Sequence, residues 1–183
     1  MLGIAAAHEV ELAVEPEGMD AFLVATVRRG DRRAFDRLYE RHARMVHAIL
    51  LSRVPATDAE DLVQEVFLSA VRHLDSLLEP DRFGPWVAQM ARNRAVDHLR
   101  ARKIHIEYQD LTGRMDAPKS EAHDVLRVIR TLPEAYQETL LMRLCEEMTG
   151  PEIAARTGLT PDSVRVNLHR GFKLLRAALG EED

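Results

Sequence analysis

The sequence predicts an all-α fold: two small helical domains joined by a flexible linker, the second a helix-turn-helix. Three observations carry this. Apolar residues recur at steps of three and four almost throughout, with no alternating strand pattern. The pattern lapses over residues 104–121, a polar, acidic stretch holding Gly113 and Pro118 and too long for a tight connection within one domain. Near the C-terminus two capped helices follow each other across a glycine turn.

The first domain spans residues 20–103, after an acidic tail at 1–19 that is expected to be disordered. A short helix at 20–29 is closed by Gly30. From Asp31 onward Phe35, Leu38, Tyr39, His42, Met45, Val46, Ile49 and Leu50 form one stripe, which Pro55 stops. Thr57 and Glu60 make a capping-box pattern ahead of Leu62, Val63, Val66, Phe67, Ala70, Val71 and Leu74. A polar break at 75–82 holds Pro80. The third long helix runs from about Arg82 to Lys103, with Phe83, Trp86, Val87, Met90, Ala91 and Leu99 inward. Trp86 lies in phase with Val87 and Met90, so it reads as core rather than as a base-stacking platform.

The second domain spans 122–183. Val125, Leu126, Val128, Ile129 and Leu132 form a helix ending before Pro133, and another covers 134–147. Cys145 falls among Leu141, Leu144 and Met148 and reads as a buried apolar filler. Thr149 and Glu152 form a capping box opening a helix that Gly158 closes; Thr160-Pro161 opens the last helix, to about Leu179. Ile153, Ala154, Leu159, Val164, Leu168, Leu174 and Leu175 fit a helix-turn-helix core. In that motif the second helix enters the major groove N-terminus first. Asp162, Ser163, Arg165, Val166 and His169, beside the capping Thr160, then lie near base edges, with Arg170 and Lys173 nearer phosphates.

Composition narrows the function. Within 183 residues no run of about 18 apolar residues appears, so membrane insertion is not expected. The acidic N-terminus lacks the basic start of a secretory signal, which points to the cytoplasm. One cysteine, and no histidine pair at metal-binding helical spacing, predict no disulfide, metal or cofactor. The net charge is −5, but it is unevenly spread. Residues 92–103 hold Arg92, Arg94, Arg100, Arg102 and Lys103 against Asp97 alone, and 165–176 hold Arg165, Arg170, Lys173 and Arg176 with no acid. Phosphate responds to local potential, so these are two candidate nucleic-acid faces.

Several stretches together resemble the extracytoplasmic-function sigma factors of bacterial RNA polymerase. Asp58-Ala-Glu-Asp-Leu-Val-Gln-Glu-Val-Phe-Leu68 resembles the family's polymerase-clamp helix. Phe83-Gly-Pro-Trp86 and Ala91-Arg-Asn-Arg-Ala-Val-Asp-His-Leu-Arg100 resemble the segment reading the −10 promoter element. Leu132-Pro-Glu134, Glu152-Ile-Ala-Ala155 and Val164-Arg-Val-Asn-Leu-His-Arg170 resemble the −35-reading domain. Val166, Asn167 and Phe172 depart from the family's usual recognition helix, so promoter preference does not carry over.

The resemblance implies that Asp58, Asp61, Gln64 and Glu65 bind core RNA polymerase; otherwise they form a solvated acidic face. It implies −10 contacts from Arg92, Asn93, Arg94, Asp97, His98 and Arg100, together with the 75–82 loop. Asp97 either orients Arg94 or Arg100 or accepts from a base edge. The expected function is promoter-directed initiation with no bond chemistry of its own: no nucleophile, metal set or Gly-rich phosphate loop accompanies the carboxylates. The expected partners are core polymerase, promoter DNA and an anti-sigma factor wedged between the domains; self-inhibition by the acidic tail is the rival form of control. The competing functions are a regulator binding an operator without polymerase and a helical adaptor.

Overall fold

The computed structural model of the chain describes residues 18–109 and 121–180, with side chains at 18–102 and 125–180. The tail's expected disorder and most of the expected linker fall outside the described residues. The elements are α1 Met19–Arg28, α2 Arg32–Leu51, α3 Ala56–His73, α4 Phe83–Gln109, α5 Glu121–Ile129, α6 Glu134–Leu144, α7 Gly150–Thr157 and α8 Pro161–Leu179. Two single 3₁₀ turns, Leu74–Ser76 and Pro80–Arg82, form the break between α3 and α4. No strand occurs among the described residues.

Local chemistry sets most boundaries. The Asp31 side chain accepts from the Arg33 amide and starts α2. The Thr149 hydroxyl and Glu152 carboxylate satisfy each other's backbone amides, so the capping box at α7 is complete. Gly158 then turns the chain in the left-handed region at φ 74°, where a side chain would be strained.

The expected capping box at α3 does not form. The helix starts at Ala56 behind Pro55, whose fixed φ suits a helix start, and the Thr57 hydroxyl donates to Asp58 instead. α4 runs on through Gln109, six residues beyond the expected Lys103. Losing an apolar stripe does not end a helix, and no Gly or Pro intervenes there before Gly113.

In the first domain α1–α4 bury Leu23, Leu38, Met45, Ile49, Leu62, Phe67, Phe83 and Val87. Trp86 packs against this core, its ring 5.8 Å from Phe83. Val71 and Leu99, expected inside, are exposed at the margins of their stripes. In the second domain Ile129, Leu140, Leu141, Ile153, Val164 and Leu175 are buried, whereas Leu159 and Leu174 are exposed. Cys145 is exposed, not a core filler. α6 stops at Leu144, and Glu147 at φ 54° turns the chain away, which puts Cys145 at the helix end.

The two domains pack directly together. α2 lies against α6 and α7, and the start of α4 against α7. Gly84 makes the second contact possible: a Cβ there would sit 2.3 Å from the Arg156 carbonyl oxygen and 3.1 Å from His42 Cε1. His42 is fully buried, and its Nε2 lies 2.8 Å from Asp20 Oδ2. Burial holds its pKa below the ordinary value despite the Asp20 hydrogen bond, so Nε2–H of the neutral ring donates to Asp20.

Because the α7 cap is closed from both sides, Thr149→Ala should lose about 1 kcal/mol. Calorimetry should register this as a fall in Tm of about 2–4 °C for a chain of this size. An unchanged Tm would mean that the tertiary contacts of α7 hold its first turn without the cap.

Candidate nucleic-acid interface

α8 turns Val164, Gly171 and Leu175 into the domain and leaves a basic outer face. Gly171 permits this packing, since a Cβ there would already press on Leu140 at 3.1 Å. Arg165, Val166, His169 and Arg170 line an open depression of about 540 Å³ on the outer side, with Lys173 exposed beyond it. The expected −35 residues therefore share one accessible helix face. Their roles separate at the helix start. The Thr160 hydroxyl accepts from the Ser163 amide at 3.2 Å and donates to the Ser163 hydroxyl at 2.8 Å. Thr160 and Ser163 thus spend polar atoms on holding the first turn. Asp162 pairs with Arg165 at 3.2 Å, both side chains being well exposed, so the arginine is oriented yet easily released.

The expected −10 residues divide into two groups on α4. Asn93, Asp97 and Arg100 are exposed. Asn93 accepts from Gln89 at 2.9 Å, and Asp97 lies 3.8 Å from Arg100, both side chains being well exposed. Arg92, Arg94 and His98 instead meet carboxylates. Arg92 donates twice to Glu138 of α6, and that hydrogen bond raises its pKa. Arg94 reaches Glu65 at 2.5 Å, and His98 lies 2.9 Å from Asp58. Between the 3₁₀ turns Leu78 is 93% exposed, an apolar tip on a loop that reads as polar.

On α3 Asp61, Gln64 and Glu65 are exposed and Asp58 half-buried, one face along the helix. Two of these four are tied to α4, for Asp58 also accepts from Arg102 at 2.8 Å. Desolvation pushes the Asp58 carboxyl upward, but hydrogen bonds from His98 and Thr57 and the charge of Arg102 outweigh it. The group sits below the ordinary carboxylate value.

A third basic site escaped the sequence reading. Arg37, Arg41, Arg44 and Arg156, with Glu40 and Glu152, line a cleft of about 250 Å³ between α2 and α7. Burial and the neighbouring Arg156 charge lower Arg41 to about 10. Arginines at i, i+4 and i+7 on α2 were the visible signal; the partner from α7 was not. Among the described residues no cluster of three or more metal-binding side chains occurs, and no helix is long and apolar enough to cross a membrane.

Comparison with known proteins agrees with this geometry. Residues 38–104 match the family model of sigma-70 region 2, and residues 122–175 that of sigma-70 region 4. The RNA polymerase sigma factor CarQ of Myxococcus xanthus is 32% identical over 164 residues, covering 84% of this chain and 94% of CarQ. The ECF RNA polymerase sigma-E factor of Escherichia coli is 28% identical over 171 residues, covering 82% and 89%. Among solved structures, CnrH in complex with the cytosolic domain of CnrY aligns with a TM-score of 0.58 at 26% identity, covering 90% of this chain and 99% of that one. The sigma factor RpoE of Bartonella quintana, in complex with the anti-sigma factor NepR, shares the fold at 17% identity and TM-score 0.54, over 81% and 98%. The chain belongs to the extracytoplasmic-function sigma factors, which direct bacterial RNA polymerase to promoters and start transcription. An operator-binding regulator would leave the region 2 match unexplained.

The Asp58 ties should be visible as acid dependence. A carboxyl with a depressed folded pKa stabilises fully above its unfolded value, near 3.8, and loses that contribution as pH falls through the folded value. Asp58→Asn should therefore be less stable than wild type at pH 7, by up to about 1 kcal/mol for such partly exposed pairs. In denaturant titrations the gap should close as pH falls below the unfolded carboxylate value near 3.8; a gap independent of pH would assign it to packing.

Proposed function

We propose that the surfaces of this sigma factor divide the work between two units. Residues 20–103 form the unit that binds core polymerase and the −10 element, and 122–183 the unit that reads the −35 element, joined across 104–121. Asp58, Asp61, Gln64 and Glu65 face the polymerase clamp. Asn93, Asp97 and Arg100 meet the −10 element directly, and Arg92, Arg94 and His98 join them once their carboxylate partners let go. Arg165, Val166 and His169 approach base edges, while Arg170 and Lys173 meet phosphates. The chain performs no bond chemistry and works in the cytoplasm, where the polymerase is.

The observation that carries this reading is the outer face of α8, where arginines, a histidine and a valine stand exposed on a helix seated by two caps and three buried residues. A rigid helix with basic side chains on its open side suits the major groove, where arginine pairs with guanine edges. On α3 the exposed carboxylates suit a basic partner surface, in which charge complementarity steers association. A protein partner that holds activity off is part of the proposal. CnrH, at 26% identity over nearly its whole length, is known in complex with the cytosolic domain of CnrY, which supports it.

Two experiments test the assignment. Arg165→Ala and Arg170→Ala should both weaken binding to the −35 element, and only the first should change base preference. A base-reading arginine carries about 1–3 kcal/mol of discrimination, whereas a phosphate contact mainly sets the salt slope. Footprinting across −35 variants reads the difference, and equal loss on every variant for both mutants would contradict the roles.

The double substitution Asp61→Lys with Glu65→Lys should leave the fold nearly intact, at a cost of about 1 kcal/mol or less for the lost Arg94 pair. Its binding to core polymerase should fall sharply. A folded double mutant that binds core polymerase as well as wild type would place the interface elsewhere.

A further inference from the structure

We propose that the cleft between α2 and α7 is a binding site for a small anion carrying two linked phosphoryl groups, such as inorganic pyrophosphate or the phosphate tail of a nucleotide. The proposal goes beyond the polymerase and promoter roles and uses none of the residues assigned to them.

Both helices build the site. Arg37, Arg41 and Arg44 stand at i, i+4 and i+7 on α2, so one helix face carries all three. Arg156, in the last turn of α7, lines the same cleft. Two of the four are fixed in place. The Arg41 side chain is only 12% exposed, and its Nε donates to Asp20 at 2.9 Å. The backbone of Arg156 is seated against Gly84, where a Cβ would lie 2.3 Å from its carbonyl oxygen. Groups held in advance lose little freedom on binding. Arg37 and Arg44 are of the other kind. Both are exposed, and neither side chain has a hydrogen-bond or ion-pair partner among the described residues.

The acids of the cleft do not cancel this charge. Glu152 commits a carboxylate oxygen to the α7 cap, accepting from the Thr149 amide at 2.7 Å and from its hydroxyl at 2.8 Å. Glu40 is exposed on α2. Four arginines against two glutamates leave a surplus of two positive charges. Like charges on successive turns repel. The repulsion shows at Arg41, whose pKa burial and then the Arg156 charge lower to about 10. A bound dianion turns that repulsion into attraction.

Chemistry and size select the ligand. The planar fork of arginine matches phosphate in a two-pronged way, so arginines from two helices can grip adjacent phosphoryl groups. A volume of about 250 Å³ falls below the roughly 300–1,000 Å³ of sites for drug-sized molecules. A diphosphate fits, and an attached nucleoside would project into solvent. None of the lining residues is aromatic, so nothing there stacks a base.

Isothermal titration calorimetry on the full-length chain, without polymerase or promoter, tests the site with inorganic pyrophosphate and ATP as probes. Pyrophosphate should bind one to one. Arg37→Gln, Arg44→Gln and Arg156→Gln should each weaken it about tenfold, the loss expected for one charge-assisted contact. Arg37 and Arg44 are exposed, so those two variants should keep the fold, which circular dichroism checks. Arg72→Gln, which removes an exposed arginine on α3, should bind as wild type does. Binding of pyrophosphate alone assigns the site to the free diphosphate; binding of ATP as well assigns it to nucleotide phosphate tails. A wild-type chain that does not bind pyrophosphate would overturn the proposal. So would unchanged binding in the Arg37 and Arg44 variants, an equal loss in Arg72→Gln, or sulfate binding as tightly as pyrophosphate, which would reduce the cleft to a diffuse attraction for anions. These readouts involve neither polymerase nor DNA, so they stand apart from the roles proposed for α3 and α8.

Discussion

The structure depends on α2 having two buried sides. Toward α1, α3 and α4 it offers Leu38, Met45 and Ile49, all without solvent exposure. Toward the second domain it offers His47, Arg53 and the open carbonyls at its end. A surface helix needs one apolar stripe, and residues 35–50 read as one. The contact between domains is decided just past that stripe: Ser52, Arg53 and Val54 extend the helix end to where α6 and the residues after α5 can grip it. Through that grip the two helical units share one continuous core.

Charge placement explains how an acidic chain carries basic faces. The carboxylates do not neutralise the outer side of α8, where the pair Asp162–Arg165 is exposed and weak. They gather instead under α4. Asp58 and Glu65 meet His98, Arg102 and Arg94, while Asn93, Asp97 and Arg100 keep the outward side. α3 and α4 are therefore joined by groups that also belong to the surfaces proposed for polymerase and DNA. A partner that engaged Asp58 or Glu65 would meet groups already paired with α4 by direct contact.

Legibility tracked the range of the interaction. The α7 capping box, the Thr160 cap and the Gly158 turn were readable because their partners lie within three or four residues. The α3 box was a false signal of the same kind: Thr57 and Glu60 fit the spacing, but Pro55 began the helix earlier and Asp58 took the hydroxyl. Val71, Leu99 and Leu174 kept the period of a buried stripe and lie exposed, because periodicity says which face is apolar and not how far a neighbouring helix covers it. Cys145 failed likewise, one residue past the end of its helix.

The sequence by itself determined the helices, the caps of α7 and α8 and the two-unit order, since short-range hydrogen bonding and a 3.6-residue period set all of these. Family membership was legible for the same reason, in runs of adjacent residues. Only the tertiary structure decided which charged groups are free. Arg92 finds Glu138 across 46 positions, Arg130 finds the end of α2 across 79 and His47 finds Glu146 across 99. Coulomb attraction acts on distance in space, and no local pattern records which distant carboxylate will arrive there.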